Sequence, residues 1–503
     1  MLYAASALFA IATAQWSSIS LYQQWGRLAV GPYALGAVIC ALRARRMRRR
    51  AAAGKERAGG GPPGWHWTTP RMLVFLIVFV GATLGPLALE VLWRTDSGPG
   101  TAHVQPEVSD IEQSGDRLAT GKPLYRDIDS HRTHVSVPPG QPRYNEYDPY
   151  LPLMSVFGLP SSTHAPRRLT DARVAFSLIT ILLVVAALAL CRGPTGPRVL
   201  ALQAMTVFPT AALPLATGGD DLPIAAFLLL GMVLVQRRRP LAAGVTLGVA
   251  ASMKITAWPL ALLAPLVARD AQGRRGRRPA LWLGAGLVGV MVPSILPTVI
   301  SNAPAFFDNV VRFPLGLAGI TSPAASPLLG HALVSWFPGI HRLFTLCIAT
   351  VGGLILLFVL VRHTPRKPAD LCRLLAVVMA VAIVVAPATR IGYALYPVDF
   401  FVWAWLLRAE DGAEGRRPTD PGPTAVEERE PAAARPEPER VRQPVDALRF
   451  VRAQSSSLTA KIRRVKAVLV PAATGPAPKV VGSMVTPASH SSPSLLGCWP
   501  TIR

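Results

Sequence analysis

Long apolar runs separated by short polar or basic stretches dominate the chain between residues 72 and 408. Most of them approach the ~20 residues that an α-helix needs to cross the hydrocarbon core of a bilayer. The pattern therefore predicts an all-α, polytopic bundle of transmembrane helices. The predicted spans are residues 72–93, 174–190, 199–216, 222–236, 280–300, 343–361, 374–386 and 400–407.

Residues 241–268 form an apolar run that is too long for one span and carries Lys254 near its middle. Basic blocks flank both ends of the run, so both ends should lie on the same side of the membrane. We predict two half-helices that meet near Lys254, close to the opposite side.

The regions on either side of the bundle have a different composition. The first 70 residues hold two weakly apolar pieces, 2–14 and 29–42, which predict one or two extra helices, and then a basic block and a Gly/Pro-rich linker. The last part of the chain is rich in proline and charge, so it cannot bury enough apolar surface to fold. We expect an N-terminal extension and linker (1–70), a transmembrane domain (71–408) and a disordered cytoplasmic tail (409–503).

Composition supports a membrane protein. The 503 residues are 51% hydrophobic and 16% charged, and the mean hydropathy is +0.35, whereas soluble domains are about 25% charged. The net charge of +24 comes largely from short blocks beside apolar runs, such as 43–50, 237–239 and 274–278. Lys and Arg accumulate on the cytoplasmic side of a membrane, so these blocks place the loop 94–170 outside the cell membrane.

No basic surface is interleaved with aromatic residues, and we expect no nucleic-acid partner.

The five cysteines support neither a disulfide framework nor a metal site. Their number is odd, none falls in the loop 94–170, and no two form a CxxC pair.

Polar residues concentrate in the loop 94–170, where the stretch from Glu107 to Tyr150 is rich in carboxylates and aromatics. Its first part has the pattern of an amphipathic helix with Ile111 and Leu118 on the apolar side and Val108 as a further candidate for that side. Asp110 follows Glu107 by three residues and shares its helix face.

Several stretches together resemble glycosyltransferase family 87, whose members are polytopic enzymes of the GT-C superfamily that use polyprenyl-phosphate mannose. EVSDIEQSGDRLATGKPLY (107–125) is similar to the family pattern of a carboxylate that opens the external loop, a helical segment, a Gly and a terminal Tyr. The family usually has Asp at the first position, where this chain has Glu107. The other similar stretches are YDPYLPLMSVFGLP (147–160), the turn, span and basic loop of 218–266, and RIGYALYP (390–397).

The resemblance implies a bundle of GT-C type with an extracytoplasmic loop that carries short helices. It implies transfer of a hexose, mannose in the family, from a polyprenyl-phosphate donor to a glycan or glycolipid acceptor, with inversion and without a cofactor. The expected partners are this donor, this acceptor and the lipid bilayer.

Such a reaction needs a carboxylate base just outside the membrane and fixed cations for the leaving phosphate. Glu107 or Asp110 is the candidate base, and repulsion between close carboxylates would raise one pKa. Lys254 and Arg390 are the candidate phosphate ligands, because a Lys in an apolar run is costly unless it has a function. A Lys whose ammonium reaches the membrane interface remains an alternative.

Further candidates surround these residues in the sequence. Tyr147, Tyr150 and Tyr393 could bind substrate or anchor the chain in the membrane interface. Asp220 and Asp221 could bind the acceptor or form a solvated turn.

His131 and His134 lack a clear third ligand, with Asp127 or Asp129 as weak options, so we predict no metal site.

Two other functions stay open. A secondary transporter would need polar residues at the bilayer midplane and inverted repeats, and we find no clear repeat. The second open function is that of a catalytically inactive relative that assists assembly. It stays open because Glu107 places its carboxylate farther from the backbone than the family's Asp.

Overall fold

The computed structural model describes residues 1–52, 70–97, 103–127, 146–270, 272–318 and 328–414, together with the single residues 324 and 326. These residues contain helices and no β-strand, and seven of the helices are long and apolar enough to cross a membrane. The prediction of an all-α polytopic protein is confirmed. The seven helices are Ser20–Arg50, Pro70–Asp96, Ala172–Leu190, Thr195–Thr217, Arg277–Ser301, His341–Arg362 and Pro368–Val385.

The predicted break at Lys254 is also confirmed. Two short helices, Pro240–Ala251 and Ile255–Val267, replace one long span, and Lys254 between them has an extended backbone. Both helices are apolar. Because the break interrupts them, the Lys254 side chain can form hydrogen bonds and ion pairs with the residues around it. The preceding helix, Asp221–Gln236, is likewise shorter than a full span.

The two N-terminal helices belong to the main core, although the sequence suggested a weak extension. Leu2–Trp16 packs along Ser20–Ala52, and Trp25 is fully buried and donates a hydrogen bond to the carbonyl of Ala82 at 3.0 Å. The hydroxyl of Tyr33 donates to the carbonyl of Val207. The boundary expected at residue 70 therefore does not separate these helices from the bundle.

The last helix runs from Leu395 to Glu414, so it starts before and ends after the predicted span 400–407. Asp399 precedes the predicted span 400–407 but is fully buried inside this helix. The helix also passes the predicted start of the tail at 409, because Glu410 is held by Arg237 at 2.8 Å. The rest of the predicted tail, 415–503, lies outside the described residues.

Antiparallel connections bring the helix breaks to the same end of the bundle. We call it the loop end; it contains residues 103–127 and 146–171, the turn 218–221, the break 252–254 and the segment 386–394. The opposite end, the basic end, contains the Arg-rich connections 237–239 and 274–278. The candidate site residues that the structure describes all belong to the loop end.

Candidate active site

A short helix, Pro106–Ala119, carries both candidate bases at the loop end; we call it the loop helix. Pro106 suits the first helical position because it has no N–H to leave unpaired, and an acid in the first turn is favourable beside the helix dipole. Val108 and Ile111 are buried as expected, whereas Leu118 is 39% exposed. The amphipathic helix is confirmed, but its apolar side is shorter than predicted.

The loop helix packs on a 3-10 helix, Pro152–Ser162, through two glycines. A Cβ on Gly115 would collide with the backbone of Gly158, and a Cβ on Gly158 would collide with the carbonyl of Ile111. The missing side chains therefore let the two backbones touch, which sets the distance of the loop helix from the bundle.

A buried ion-pair network ties the loop helix to two spans. Arg94 donates to Glu112 of the loop helix at 2.9 and 2.7 Å and to Asp171 at 2.8 Å. Asp171 also accepts from the fully buried Arg173 at 2.9 and 2.8 Å. The ion pair between Arg94 and Asp171 reduces the free-energy cost of burying each charge. Burial alone would raise the pKa of Asp171, but the guanidinium groups of Arg173 and Arg94 outweigh it, so the pKa lies below its usual range. None of these pairs was predicted from the sequence, although acids and arginines in or beside apolar runs are a recognisable signal.

Glu107 does not lie free in the site. Its side chain accepts a hydrogen bond from Nη1 of Arg390 and forms an ion pair with it. The Arg390 side chain is 37% exposed, and the Glu107 side chain is 13% exposed. The two residues that the sequence assigned to base and phosphate ligand therefore contact each other.

Asp110 has the contrasting environment one turn further along the loop helix. Within the described part of the chain its carboxylate has no hydrogen bond, and its pKa is raised to about 8. Burial is the main cause and the carboxylate of Asp148 the second, while Arg126 acts in the opposite direction. Sequence analysis expected a like-charge effect from neighbouring acids of the same helix, but the acid that acts is Asp148 from another segment. An unpaired carboxyl with a raised pKa is the state that a general base needs near neutral pH.

Lys254 lies at the centre of a second cluster. Its ammonium donates to Asp220 at 2.6 Å and to Asp221 at 2.9 Å. Burial alone would lower the pKa of Lys254, but the two carboxylates outweigh it and hold the pKa well above its usual range. The reading of Asp220 and Asp221 as a solvated turn is wrong, because Asp220 is buried and both acids are paired. The Lys254 side chain also does not extend to the surface, as a lysine at the membrane interface would, since it is 8% exposed.

Aromatic side chains join the two clusters. The Lys254 ammonium lies 5.4 Å from the ring centre of Tyr150 and 5.5 Å from that of Tyr393, distances at which a cation is attracted to the ring face. Burial raises the pKa of Tyr150 well above its usual range, and the charges of Asp220 and Asp110 add to the rise, so Tyr150 lies near both the base candidate and the lysine cluster.

Two more tyrosines have defined partners. The hydroxyl of Tyr396 donates to Asp221 at 2.7 Å and lies 2.7 Å from the hydroxyl of Thr256. Tyr147 is buried and stacks on Phe313 with ring centres 4.6 Å apart, so one face of its ring is occupied.

The structure thus brings Glu107, Asp110, Lys254 and Arg390 to one place through the tyrosines and acids between them. His131, His134 and Asp129 lie outside the described residues. In the described ranges, no group of three or more His, Cys, Asp or Glu side chains is arranged to hold a metal ion.

Comparisons with known proteins identify a similar family for part of the chain. No curated protein and no solved structure matches the chain. The family model of glycosyltransferase family 87 matches residues 150–387. The matched range contains Tyr150, Asp220, Asp221 and Lys254 and stops short of Arg390, while the loop helix precedes it. Residues 150–387, slightly less than half of the chain, are therefore similar to glycosyltransferase family 87, and this similarity together with the apolar helices indicates a membrane glycosyltransferase.

Proposed function

We propose that the protein transfers a hexose, with mannose as the first choice, from a polyprenyl-phosphate donor to a glycan or glycolipid acceptor, with Asp110 as the base. The observation that carries the proposal is the contrast within the loop helix. Glu107 is paired with Arg390, whereas the carboxylate of Asp110 is free of hydrogen bonds in the described chain and has a pKa of about 8. We place the loop end outside the cell membrane, because the arginine-rich connections lie at the opposite end.

The chemistry follows from these groups. Asp110 accepts the proton of an acceptor hydroxyl while the hydroxyl oxygen attacks the anomeric carbon of the donor sugar. The bond between that carbon and the phosphate oxygen breaks, and its electron pair leaves with polyprenyl phosphate. A single displacement from the face opposite the phosphate inverts the anomeric centre.

Arg390 is the better phosphate ligand of the two predicted cations. Only Nη1 of its guanidinium is bound to Glu107 in the described chain, and the side chain is partly exposed. The remaining N–H groups can donate to phosphate oxygens in a bidentate way. Lys254 is already neutralised by Asp220 and Asp221, so we assign it to holding the break at 252–254 and the rings of Tyr150 and Tyr393 in place.

The acids around Lys254 suit a sugar rather than a phosphate. Two carboxylates against one ammonium leave a net negative charge, and carboxylate oxygens accept hydrogen bonds from sugar hydroxyls. We assign Asp220 and Asp221 to the acceptor side of the site, with Tyr150 and Tyr393 as its aromatic walls. For a transporter, the sequence offers no clear inverted repeat.

The test is transfer by the full-length protein in proteoliposomes supplied with radiolabelled polyprenyl-phosphate mannose. Loss of a general base costs about 10²- to 10⁴-fold in rate, so we expect Asp110→Asn to reduce label transfer and polyprenyl phosphate release at least ~100-fold. Asp116→Asn is the matched control, because Asp116 is an exposed acid of the same helix, and it should stay within about 2-fold of the unaltered protein.

Separate donor arms define the substrate. Polyprenyl-phosphate glucose tests the sugar, and GDP-mannose without lipid tests the carrier. Wild-type activity of Asp110→Asn would overturn the base assignment, and efficient transfer directly from GDP-mannose would overturn the lipid-linked donor.

A further inference from the structure

Asp148 is a partly buried acid that takes no direct part in the proposed reaction. It lies just before the 3-10 helix Pro152–Ser162, and its carboxylate accepts hydrogen bonds from the hydroxyl of Ser114 and from the backbone N–H of Tyr150, the latter at 3.2 Å. Its own backbone N–H donates to the side-chain oxygen of Asn309 at 2.8 Å. Hydrogen bonds to the loop helix and to the nearby Tyr150 thus hold this carboxylate, and the bond to Asn309 holds its backbone.

The bond from Ser114 places Asp148 against the face of the loop helix that carries Asp110. Residues four apart on a helix are neighbours, with Cβ atoms about 5–6 Å apart. Asp110 and Ser114 have this spacing, so the carboxylate held by Ser114 lies within about one helical turn of Asp110.

We propose that Asp148 is a positioning residue that acts through Asp110: it is a like charge fixed beside the base, and it sets the pH range in which the base is ionised. This inference rests on the proposed role of Asp110. We assign Asp148 no contact with substrate. Its hydrogen bonds hold it at a defined distance from the loop helix.

The two carboxyls lose their protons in a defined order. The pKa of Asp148 is raised to about 6 by burial, and the bonds from Ser114 and Tyr150 limit the rise because they favour the charged form. The pKa of Asp110 is about 8. Asp148 is therefore ionised first, and its charge then opposes ionisation of Asp110.

Other charged groups also face Asp110. Arg126, from the segment after the loop helix, lowers its pKa. Glu107 lies one turn earlier and is neutralised by Arg390. Lys254, whose ammonium lies 5.4 Å from the ring centre of Tyr150, is paired with its own two carboxylates. Asp148 is the one group among those acting on Asp110 that raises its pKa through charge.

Carbodiimide labelling tests this inference without relying on activity. Dicyclohexylcarbodiimide reacts with protonated carboxyls in apolar surroundings, and fragment mass spectrometry assigns the adduct to Asp110. Labelling of Asp110 in the full-length protein should fall with rising pH, with a midpoint near 8. Asp148→Asn keeps the hydrogen-bonding shape but removes the charge, so it should lower the midpoint by about one pH unit. The midpoint should remain above that of an exposed Asp, because burial is the larger cause.

Transfer rates provide the second measurement. A base works when deprotonated, so the rate of the unaltered protein should rise with pH through about 8. Asp148→Asn should move this rise to lower pH and reduce the plateau, since a weaker base removes protons less effectively. Asp116→Asn is the control and should leave both profiles in place. A residue that mattered only for folding would lower the rate equally at all pH values.

The outcomes separate the two proposals. An unshifted labelling midpoint in Asp148→Asn overturns the role of Asp148, whatever the activity of Asp110→Asn. A shifted midpoint together with full activity of Asp110→Asn supports the charge coupling and overturns the base assignment. If Asp148→Asn does not fold, Asp148→Ser, which also removes the charge, is measured by the same labelling.

Discussion

Arg390 and Glu107 form an ion pair between residues 283 positions apart in the chain. The pair joins the loop helix to the segment that precedes the last helix. If the donor phosphate binds the remaining N–H groups of Arg390, the charge of Glu107 weakens the attraction between the guanidinium and the phosphate. Because Glu107 is engaged by this ion pair, we propose Asp110 as the base and keep Arg390 as the phosphate ligand.

Substitutions in this pair should alter donor affinity more than the chemical step. Glu107→Gln releases Arg390, so we expect a lower KM for polyprenyl-phosphate mannose, while the turnover rate changes by less than about 3-fold. Arg390→Gln removes a charge-assisted hydrogen bond worth about 1.5–3 kcal/mol and should raise KM roughly 10- to 100-fold. The measurement is initial-rate kinetics over a range of donor concentrations in proteoliposomes.

Arg168→Gln is a suitable control, since Arg168 is an exposed arginine at the same end of the bundle. If Glu107→Gln instead slowed turnover by about two orders of magnitude at an unchanged KM, Glu107 would be the base.

The lysine cluster should matter for stability. Lys254→Met leaves Asp220 buried without its partner, and breaking a buried ion pair from one side costs about 3–5 kcal/mol. We therefore expect a clear fall in the melting temperature of the detergent-solubilised protein. Lys254→Met combined with Asp220→Asn should recover part of the loss, because no uncompensated buried charge is left at Asp220.

Lys122→Met is the comparison, because Lys122 is exposed and its change should shift the melting temperature little. If Lys254→Met melts normally and instead loses donor binding, Lys254 is a phosphate ligand after all.

The network around Arg94 should hold the loop helix in position. Glu112→Gln weakens its two bonds to Arg94, so backbone amides of residues 106–119 should exchange with deuterium faster. Activity should fall by a similar factor at every pH, because Asp110 keeps its neighbours but is placed less accurately.

Asp96→Asn is the matched control for this network. Asp96 pairs with Arg168 at 3.6 Å, and their side chains are 68% and 57% exposed. An exposed pair is worth about 0–1 kcal/mol, so exchange in the loop helix should not change. Equal effects of the two substitutions would contradict a special role for the buried network.

The glycine contact makes a steric prediction. Gly115→Ala places a methyl group into the backbone of Gly158, so the loop helix must move away from the 3-10 helix. We expect transfer to fall at least ~10-fold, because a displacement of about 1 Å can cost as much as 100-fold in rate. Gly289→Ala is the control, since a Cβ there meets no atom within 4 Å and Ala favours the helix. Normal activity of Gly115→Ala would show that the helix position is not critical.

Local pattern was enough to predict the fold class and most of the helices. Apolar runs near the length of a bilayer crossing predict spans wherever the chain lies, and the cost of Lys254 in such a run indicated the break between Pro240–Ala251 and Ile255–Val267. The boundaries of the last helix were less predictable, because the bond of Glu410 to Arg237 stabilises its end through a residue far away in sequence.

Which carboxylate is free was decided by tertiary structure alone. In sequence, Glu107 and Asp110 are two acids on one helix face, and nothing local separates them. Folding brings Arg390 to the first and Asp148 to the second. Both partners come from distant segments, and a pKa depends on burial and on charges in space. The amino-acid sequence by itself therefore determined a helical membrane protein with acids in one loop, while the packing of that loop decided which acid pairs with Arg390 and which lies near Asp148.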